Sequence, residues 1–168
     1  CHLRAPFRAM IQRKQTLFLL AAMVLLGLMY VVPAVAYHRL PDDARFTFHP
    51  WGLENHLGVV VPDFNFPLPF QWILAVCILG MGVSIFLYGN RPRQMRVVRG
   101  ISLLVLLCGG AQAFVHQSVQ SYLGTAPHVE SSFQAGFFLP FLAFACCWLA
   151  ERGIRQDEQL VRSMDRLR

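Results

Sequence analysis

Three polar residues, Gln112, His116 and Gln120, follow one another at intervals of four inside an otherwise apolar segment. At this spacing their side chains share one face of an α-helix. Ionisable groups inside membrane spans often mark a path for ions or protons, so transport is one interpretation. A proton relay would need a carboxylate on another span, and the four long apolar segments of this chain contain no Asp or Glu. Hydrogen bonding between helices is the interpretation that the sequence favours.

The other residues capable of chemistry do not form a recognisable site. His49 and His56 share a loop with four acidic residues, Asp42, Asp43, Glu54 and Asp63. None of them has the spacing of a known metal motif. A haem between spans would need two histidines there, and only His116 qualifies. We therefore predict no metal and no cofactor.

Four cysteines lie within apolar segments, where a thiol behaves as a small hydrophobic group: Cys77, Cys108, Cys146 and Cys147. They are too deep for a membrane thiol oxidoreductase, whose reactive cysteines lie at the outer face. No Ser/His/Asp set, phosphate loop or pair of carboxylates stands out. We predict that the protein is not an enzyme and has no catalytic residues.

The composition indicates a membrane protein. The chain has 168 residues, of which 55% are apolar and 14% charged, whereas about 25% are charged in a typical soluble domain. Its mean hydropathy is +0.45. The net charge of +6 could indicate a nucleic-acid partner. We predict none, because the distribution of the charges is better explained by orientation in a membrane.

Four apolar segments approach the roughly 20 residues that cross a bilayer. The predicted fold class is an all-α membrane protein, a four-transmembrane-helix bundle with a small external β-hairpin and a cytoplasmic C-terminal amphipathic helix. Residues 1–168 form one domain, with spans at 16–36, 68–88, 97–121 and 132–150, an external loop at 37–67 and a tail at 151–168. The hairpin is expected from the alternation at 45–49 and from strand-like residues at 59–61 and 64–66.

The basic residues orient this layout. All of the 15 Lys and Arg residues except Arg39 and Arg45 fall in the three segments that the layout places on one side of the membrane. The positive-inside rule makes that side cytoplasmic. We therefore expect a multi-pass protein of a bacterial inner membrane with both termini in the cytoplasm. Cys1 could be a lipidated terminus, but this would place nearby basic residues outside, so we expect Met10 to be the native start.

The tail and the central basic segment, residues 89–100, share the cytoplasmic side. The tail is predicted to be a helix with Glu151–Arg155 and Glu158–Arg162 as i, i+4 pairs. It could lie on anionic lipid, pair with a partner helix or a second copy, or cap the bundle. We hypothesise one cytoplasmic docking face made by Arg91, Arg93, Arg96, Arg99, Asp157, Glu158, Arg162 and Asp165.

The two ends and the middle of the chain carry a family resemblance. Residues 10–17 read Met-Ile-Gln-Arg-Lys-Gln-Thr-Leu, residues 88–91 read Tyr-Gly-Asn-Arg, and residues 154–168 form a polar C-terminal signature. These stretches resemble a bacterial inner-membrane family, domain of unknown function 4293, over about residues 10–168. The resemblance implies four spans and no assigned activity, so no catalytic residue is carried over from it.

The function that we predict is that of a non-enzymatic accessory or scaffold subunit of a bacterial inner-membrane assembly. Its partners would be the lipid bilayer and another membrane protein, or a second copy through the C-terminal helix. The alternative is a small transporter or ion-pathway protein that uses the polar face of the third span. A membrane redox protein is a third hypothesis.

Overall fold

The computed structural model describes residues 14–62, 69–87, 90–124 and 129–165. The described helices and strands are, in chain order, α1 (Lys14–Leu28), β1 (Val35–Arg39), β2 (Ala44–His49), β3 (Gly52–Asn55), α2 (Phe70–Phe86), α3 (Arg91–Leu123), β4 (Val129–Phe133) and α4 (Ala135–Asp165). A short 3₁₀ helix, Leu40–Asp42, joins β1 to β2. Asp43 follows it with a left-handed backbone, which turns the chain into β2.

The four strands form one antiparallel sheet in the order β3-β2-β1-β4. In its register Tyr37 of β1 stands opposite Phe46 of β2 and Ser131 of β4. The sheet therefore joins two loops that are far apart in the sequence. One face of it buries Val35, Tyr37 and Phe48 against Val115, Val119 and Leu123 of α3. The sheet thus covers one end of the helices.

The helices pack side by side and antiparallel to their neighbours, with α4 against α1 and α3, and α2 against the same two helices. Gly136 at the start of α4 fits against the chain after α1, where an added Cβ would lie 2.5 Å from the Pro33 carbonyl oxygen. At the opposite end Gly153 of α4 lies against Gln15 of α1. We call the two ends of the helices the sheet end and the basic end, after β1–β4 and the arginines of α3.

The predicted fold class is wrong. The described chain is not all-α, because it holds a four-stranded sheet beside its four helices. Among the described residues, only α3 and the part of α4 from Ala135 to Gln159 are long and apolar enough to be candidate membrane spans. A bundle of four transmembrane helices therefore does not describe this structure.

The first and second apolar segments form helices that are too short. At 1.5 Å per residue, the 15 residues of α1 and the 17 of α2 extend about 22 and 25 Å, less than the roughly 30 Å of a hydrocarbon core. Helix α1 ends at Leu28, where the chain makes a series of turns. Pro33 follows, and it has no N–H with which to continue a helix. The Ala34 N–H then donates to the Phe48 carbonyl, which draws the predicted end of the first span into the sheet.

The external hairpin is also different from the prediction. The strand expected at 45–49 exists as part of β2, but its partners are β1 and β3. Gly52 and Asn55, which lie between the predicted strands, are the first and last residues of β3. Val60 makes a single bridge to Glu54. The predicted strand residues at 64–66 lie outside the described residues.

The central basic segment is helical from its third residue. Helix α3 begins at Arg91, and Pro92 stands in its first turn, where its missing N–H costs no hydrogen bond. The prediction of a helical tail is confirmed, because α4 continues through Pro140 to Asp165. The predicted start of the fourth span, residue 132, lies within β4, and the helix itself begins at Ala135.

Candidate functional site

The three residues of the predicted polar face do not form one site. Gln112 is fully buried, and neither atom of its side-chain amide has a hydrogen-bond partner among the described residues. His116 and Gln120 lie further toward the sheet end and bond to different strands. The face thus divides into one buried amide and two contacts between α3 and the sheet.

His116 forms the tighter of these two contacts. The Tyr37 hydroxyl and the His116 Nδ1 atom are 2.9 Å apart, and the two rings stack with centroids 5.5 Å apart. The ring of Phe133 lies 5.2 Å from that of His116. Burial raises the pKa of the Tyr37 hydroxyl, so this group stays protonated, and it donates to Nδ1 in the tautomer of His116 that carries its proton on Nε2. The pair joins β1 to α3.

Gln120 makes a longer contact, in which its Nε2 atom donates to the Ser131 hydroxyl of β4 at 3.4 Å. This distance is at the weak end of hydrogen bonding. Together with the contact of His116, it makes the outer half of the predicted polar face a seam between helix and sheet.

A second polar group lies beside β2 and β3. The Trp51 indole donates to the Glu54 carboxylate at 2.7 Å, and the His49 ring stacks on the indole with centroids 4.7 Å apart. Burial lowers the pKa of His49, and the Glu54 carboxylate, 3.8 Å from its Nε2 atom, opposes this shift. In the described parts of the chain, no three His, Cys, Asp or Glu side chains converge as metal ligands. Asp63 lies outside those parts.

The strongest charge arrangement is at the basic end, around Glu151 of α4. Its Oε1 atom accepts from Arg99 Nε at 3.0 Å and from Arg99 Nη2 at 2.6 Å. The same atom accepts from Arg155 Nη2 at 2.6 Å. The Glu151 side chain is 11% exposed, whereas those of Arg99 and Arg155 are 51% and 55% exposed. A buried carboxylate therefore holds two half-exposed guanidinium groups together between α3 and α4.

Further arginine contacts surround this cluster. Arg91 donates to the backbone carbonyl of Asp157 at 2.7 Å. The guanidinium of Arg152 lies over the Trp148 ring, 5.8 Å from its centroid. Two depressions, each of about 280 Å³, open on this surface and share Arg155 in their walls.

The described residues of the predicted docking face lie on α3 and α4 at the basic end, and their contacts differ from the predicted ones. Arg91 reaches the tail, but it meets the carbonyl and not the carboxylate of Asp157. Arg99 binds Glu151, which the docking hypothesis did not include. Glu158 lines one of the two depressions. Arg93 and Arg96 are exposed on α3. The side chains of Arg162 and Asp165 lie outside the described residues.

Sequence comparison places the chain in a known family. Residues 11–167 match the family described as Domain of unknown function (DUF4293). The chain belongs to this family. No curated protein matches the sequence. The resemblance noted from the two ends of the chain is thereby confirmed, and membership of DUF4293 brings no assigned activity to any residue.

In the cluster around Glu151 of this DUF4293 chain, the sequence predicted the pair with Arg155 but not the pair with Arg99. The predicted i, i+4 pair Glu151–Arg155 is confirmed. The hydrogen bond from Arg99 to the same carboxylate joins residues 52 positions apart, so no local sequence pattern predicts it. The available signal was the position of Glu151, the first acid after a long apolar segment. An acid at such a position needs a cationic partner when it is buried.

Three of the four described cysteines of the DUF4293 chain lie in its interior, and Cys146 is partly buried. Cys77 of α2, Cys108 of α3 and Cys147 of α4 belong to one buried apolar cluster between the helices. All three are free thiols in the structure. Their location gives external thiol reagents no direct route to them.

Proposed function

We propose that this protein is a non-enzymatic accessory subunit of a bacterial inner-membrane assembly, with its helices in the bilayer and its sheet outside. The observation that carries this proposal is the apolar outer surface of the helices. Only 33% of the most apolar stretch of α3 and 39% of that of α4 is buried within the protein. The core helix of a water-soluble protein would be mostly buried, so lipid is the environment that suits these two helices.

The shorter helices carry the same kind of surface. Leu17 and Val24 of α1 and Val76 and Leu79 of α2 are more than half exposed. Monomeric soluble proteins rarely expose contiguous apolar patches of more than a few hundred Å². The surfaces of α1 and α2 therefore also favour contact with lipid or with a partner subunit.

The charges support an orientation. The arginines of α3 and α4 whose side chains the structure describes all lie at the basic end: Arg91, Arg93, Arg96, Arg99, Arg152 and Arg155. The sheet end carries Arg39 and Arg45 together with four acids, Asp42, Asp43, Glu54 and Glu130. The positive-inside rule then directs the basic end to the cytoplasm and the sheet to the opposite side.

An accessory role is supported by the extension of α4. Asp157 contacts Arg91, the first residue of α3, and α4 continues to Asp165. The eight residues after Asp157 add about 12 Å of helix beyond the start of α3. A helix that projects from the membrane surface in this way offers a partner a docking element.

The membrane part of the proposal is tested by alkaline carbonate extraction of native membranes, after which the protein should stay in the pellet. The accessory part is tested with a chain that ends at Gln159. Crosslinking and mass spectrometry should find a membrane protein linked to residues 160–168 of the unshortened chain and lose it in the shortened one. Identical crosslinks from both chains would contradict the accessory role.

Gln112 favours a second candidate, a small transporter. A fully buried amide without a partner among the described residues is costly unless water or a solute satisfies it. Gln112→Leu keeps the volume similar and removes the polar atoms. If α3 lines a path, this variant should abolish flux through proteoliposomes, while Gln117→Leu, at a neighbouring helix position, should leave it unchanged. Unchanged flux of every tested ion in Gln112→Leu would contradict this candidate.

A further inference from the structure

The surface between α3 and α4 at the basic end combines three guanidinium groups with an aromatic ring. The first depression is lined by Trp148, Glu151, Arg152 and Arg155. The second is lined by Met95, Arg99, Arg155, Glu158 and Gln159. Arg155 borders both depressions, and we call the two together the arginine groove.

The charges of the groove favour an anion. Glu151 is buried and binds both Arg99 and Arg155 with the same oxygen atom, so one negative charge faces two positive ones. Arg152 adds a third positive charge at the Trp148 side, and Glu158 adds a second negative charge at the far side. Positive charge is therefore in excess, mostly toward Trp148.

The geometry suits a phosphate group. A guanidinium has five N–H donors in a planar fork that matches phosphate oxygens. Arg155 donates to Glu151 through Nη2, and more than half of its side chain is exposed. The buried carboxylate holds Arg99 and Arg155 in fixed positions, so little side-chain entropy is lost when an anion binds.

Apolar surface adjoins the groove on the membrane side. Trp148 is 52% exposed, and Leu149 and Leu142 are also exposed along α4. Tryptophan is favoured at the boundary between headgroups and acyl chains. A free phosphate ion would make no use of this apolar surface, whereas a lipid would cover it with its acyl chains.

We propose that the arginine groove binds the phosphate of an anionic membrane lipid, with Arg152 and Arg155 at the phosphate and Trp148 against the lipid chains. This inference rests on the proposed membrane location of the helices. The ligand class is a phospholipid with net negative charge, of which phosphatidylglycerol is the probe.

The test uses the full chain in nanodiscs, with Trp148 as its only tryptophan through Trp51→Phe and Trp72→Phe. Brominated phosphatidylglycerol and brominated phosphatidylcholine are compared at equal mole fractions as quenchers of Trp148. We expect the anionic lipid to be enriched at Trp148 over the zwitterionic one. Each arginine near a membrane surface contributes about fivefold to the attraction of anionic lipid, so Arg155→Gln and Arg152→Gln should each reduce the enrichment by about that factor.

Arg93→Gln is the matched control, because Arg93 is exposed on α3 and does not line the groove. It removes the same charge and should reduce the enrichment at Trp148 much less than Arg152→Gln does. Arg152 does not bind Glu151, so Arg152→Gln decides the question even if Arg155→Gln perturbs folding. Equal enrichment in Arg152→Gln and the unsubstituted chain would overturn the proposal, as would an equal loss in Arg93→Gln.

Two further arms separate the remaining alternatives. Millimolar inorganic phosphate, added at constant ionic strength, should not displace the anionic lipid, and complete displacement would instead assign the groove to free phosphate. Quenching by brominated phosphatidylcholine without any preference for phosphatidylglycerol would overturn the lipid site alone. Absence of quenching by either lipid would contradict the membrane location itself.

Discussion

Both ends of the helices bury apolar side chains, but the polar contacts beside these clusters differ. At the sheet end, aromatic side chains stack between β-strands and helices, and Tyr37, Phe48 and Leu53 are almost completely buried. At the basic end, a buried apolar cluster that includes Val98 and Ile154 is accompanied by an ion pair between Arg99 of α3 and Glu151 of α4. Burial of apolar surface involves no charges, whereas exposed ion pairs are screened by salt. Mutations at the two ends should therefore respond differently to ionic strength.

The largest effect is expected from Phe48→Ala at the sheet end. Phe48 is 1% exposed, and its ring lies 6.4 Å from that of Phe70 at the start of α2. Removing a buried phenylalanine costs about 3–5 kcal/mol of unfolding free energy. Thermal unfolding in a mild detergent at low and high salt should show the same loss. Phe86→Ala, at a 69% exposed position, is the control and should change stability little.

A smaller effect that depends on salt is expected from Glu151→Gln at the basic end. Glutamine keeps the shape of the side chain but removes the charge that attracts Arg99 and Arg155. We expect a loss of about 1–2 kcal/mol at low salt, discounted because both arginines are half exposed. The loss should shrink at high salt. Glu130→Gln at an exposed position of β4 is the control, and equal losses at both salt concentrations would contradict the comparison between the ends.

Tyr37→Phe should have a still smaller effect. It keeps the ring stacked on His116 and removes only the hydroxyl that lies 2.9 Å from the Nδ1 atom. A neutral hydrogen bond contributes about 1 kcal/mol to stability. Unfolding measurements should show this loss independently of salt. In the double variant Tyr37→Phe/His116→Phe, a loss equal to the sum of the single losses would show that the two side chains are not coupled.

The smallest effect is a pH dependence at the sheet end. Burial holds the pKa of His49 below its ordinary value of 6.5, so the unfolded chain takes up the proton more readily than the folded one. Stability is therefore unaffected at higher pH and is lost as the pH falls through 6.5 toward the lowered pKa. His49→Gln should flatten this part of the curve of stability against pH. A curve identical to that of the unsubstituted chain would exclude His49 as its cause.

The distance between contacting residues along the sequence explains which predictions succeeded. The helical tail and the Glu151–Arg155 pair depend on spacings of a few residues, and both are present in the structure. The sheet depends on β4 pairing with β1, which lies more than 90 positions earlier in the sequence. Pairing at such a distance leaves no periodic signal in either strand. The residues of β1 were therefore assigned to the end of a span and the start of a loop.

The polar face of α3 shows the same limit within one helix. Its spacing predicted correctly that Gln112, His116 and Gln120 lie in one helix, but not that each has different surroundings. The partners of His116 and Gln120 are on β1 and β4, and Gln112 is enclosed in the interior. A local pattern records which side chains share a face, but it does not record what covers that face.

The sequence by itself determined the apolar character of the helices, the concentration of arginines at one end, the helical tail and the membership of the family. These properties follow from composition and short-range spacing, which act on each segment alone. Only the tertiary structure decided that two loops form a sheet, that α1 and α2 end short of a bilayer's thickness, and that Arg99 shares Glu151 with Arg155. Each of these depends on contacts between distant segments, whose free energy exists only when the chain is folded.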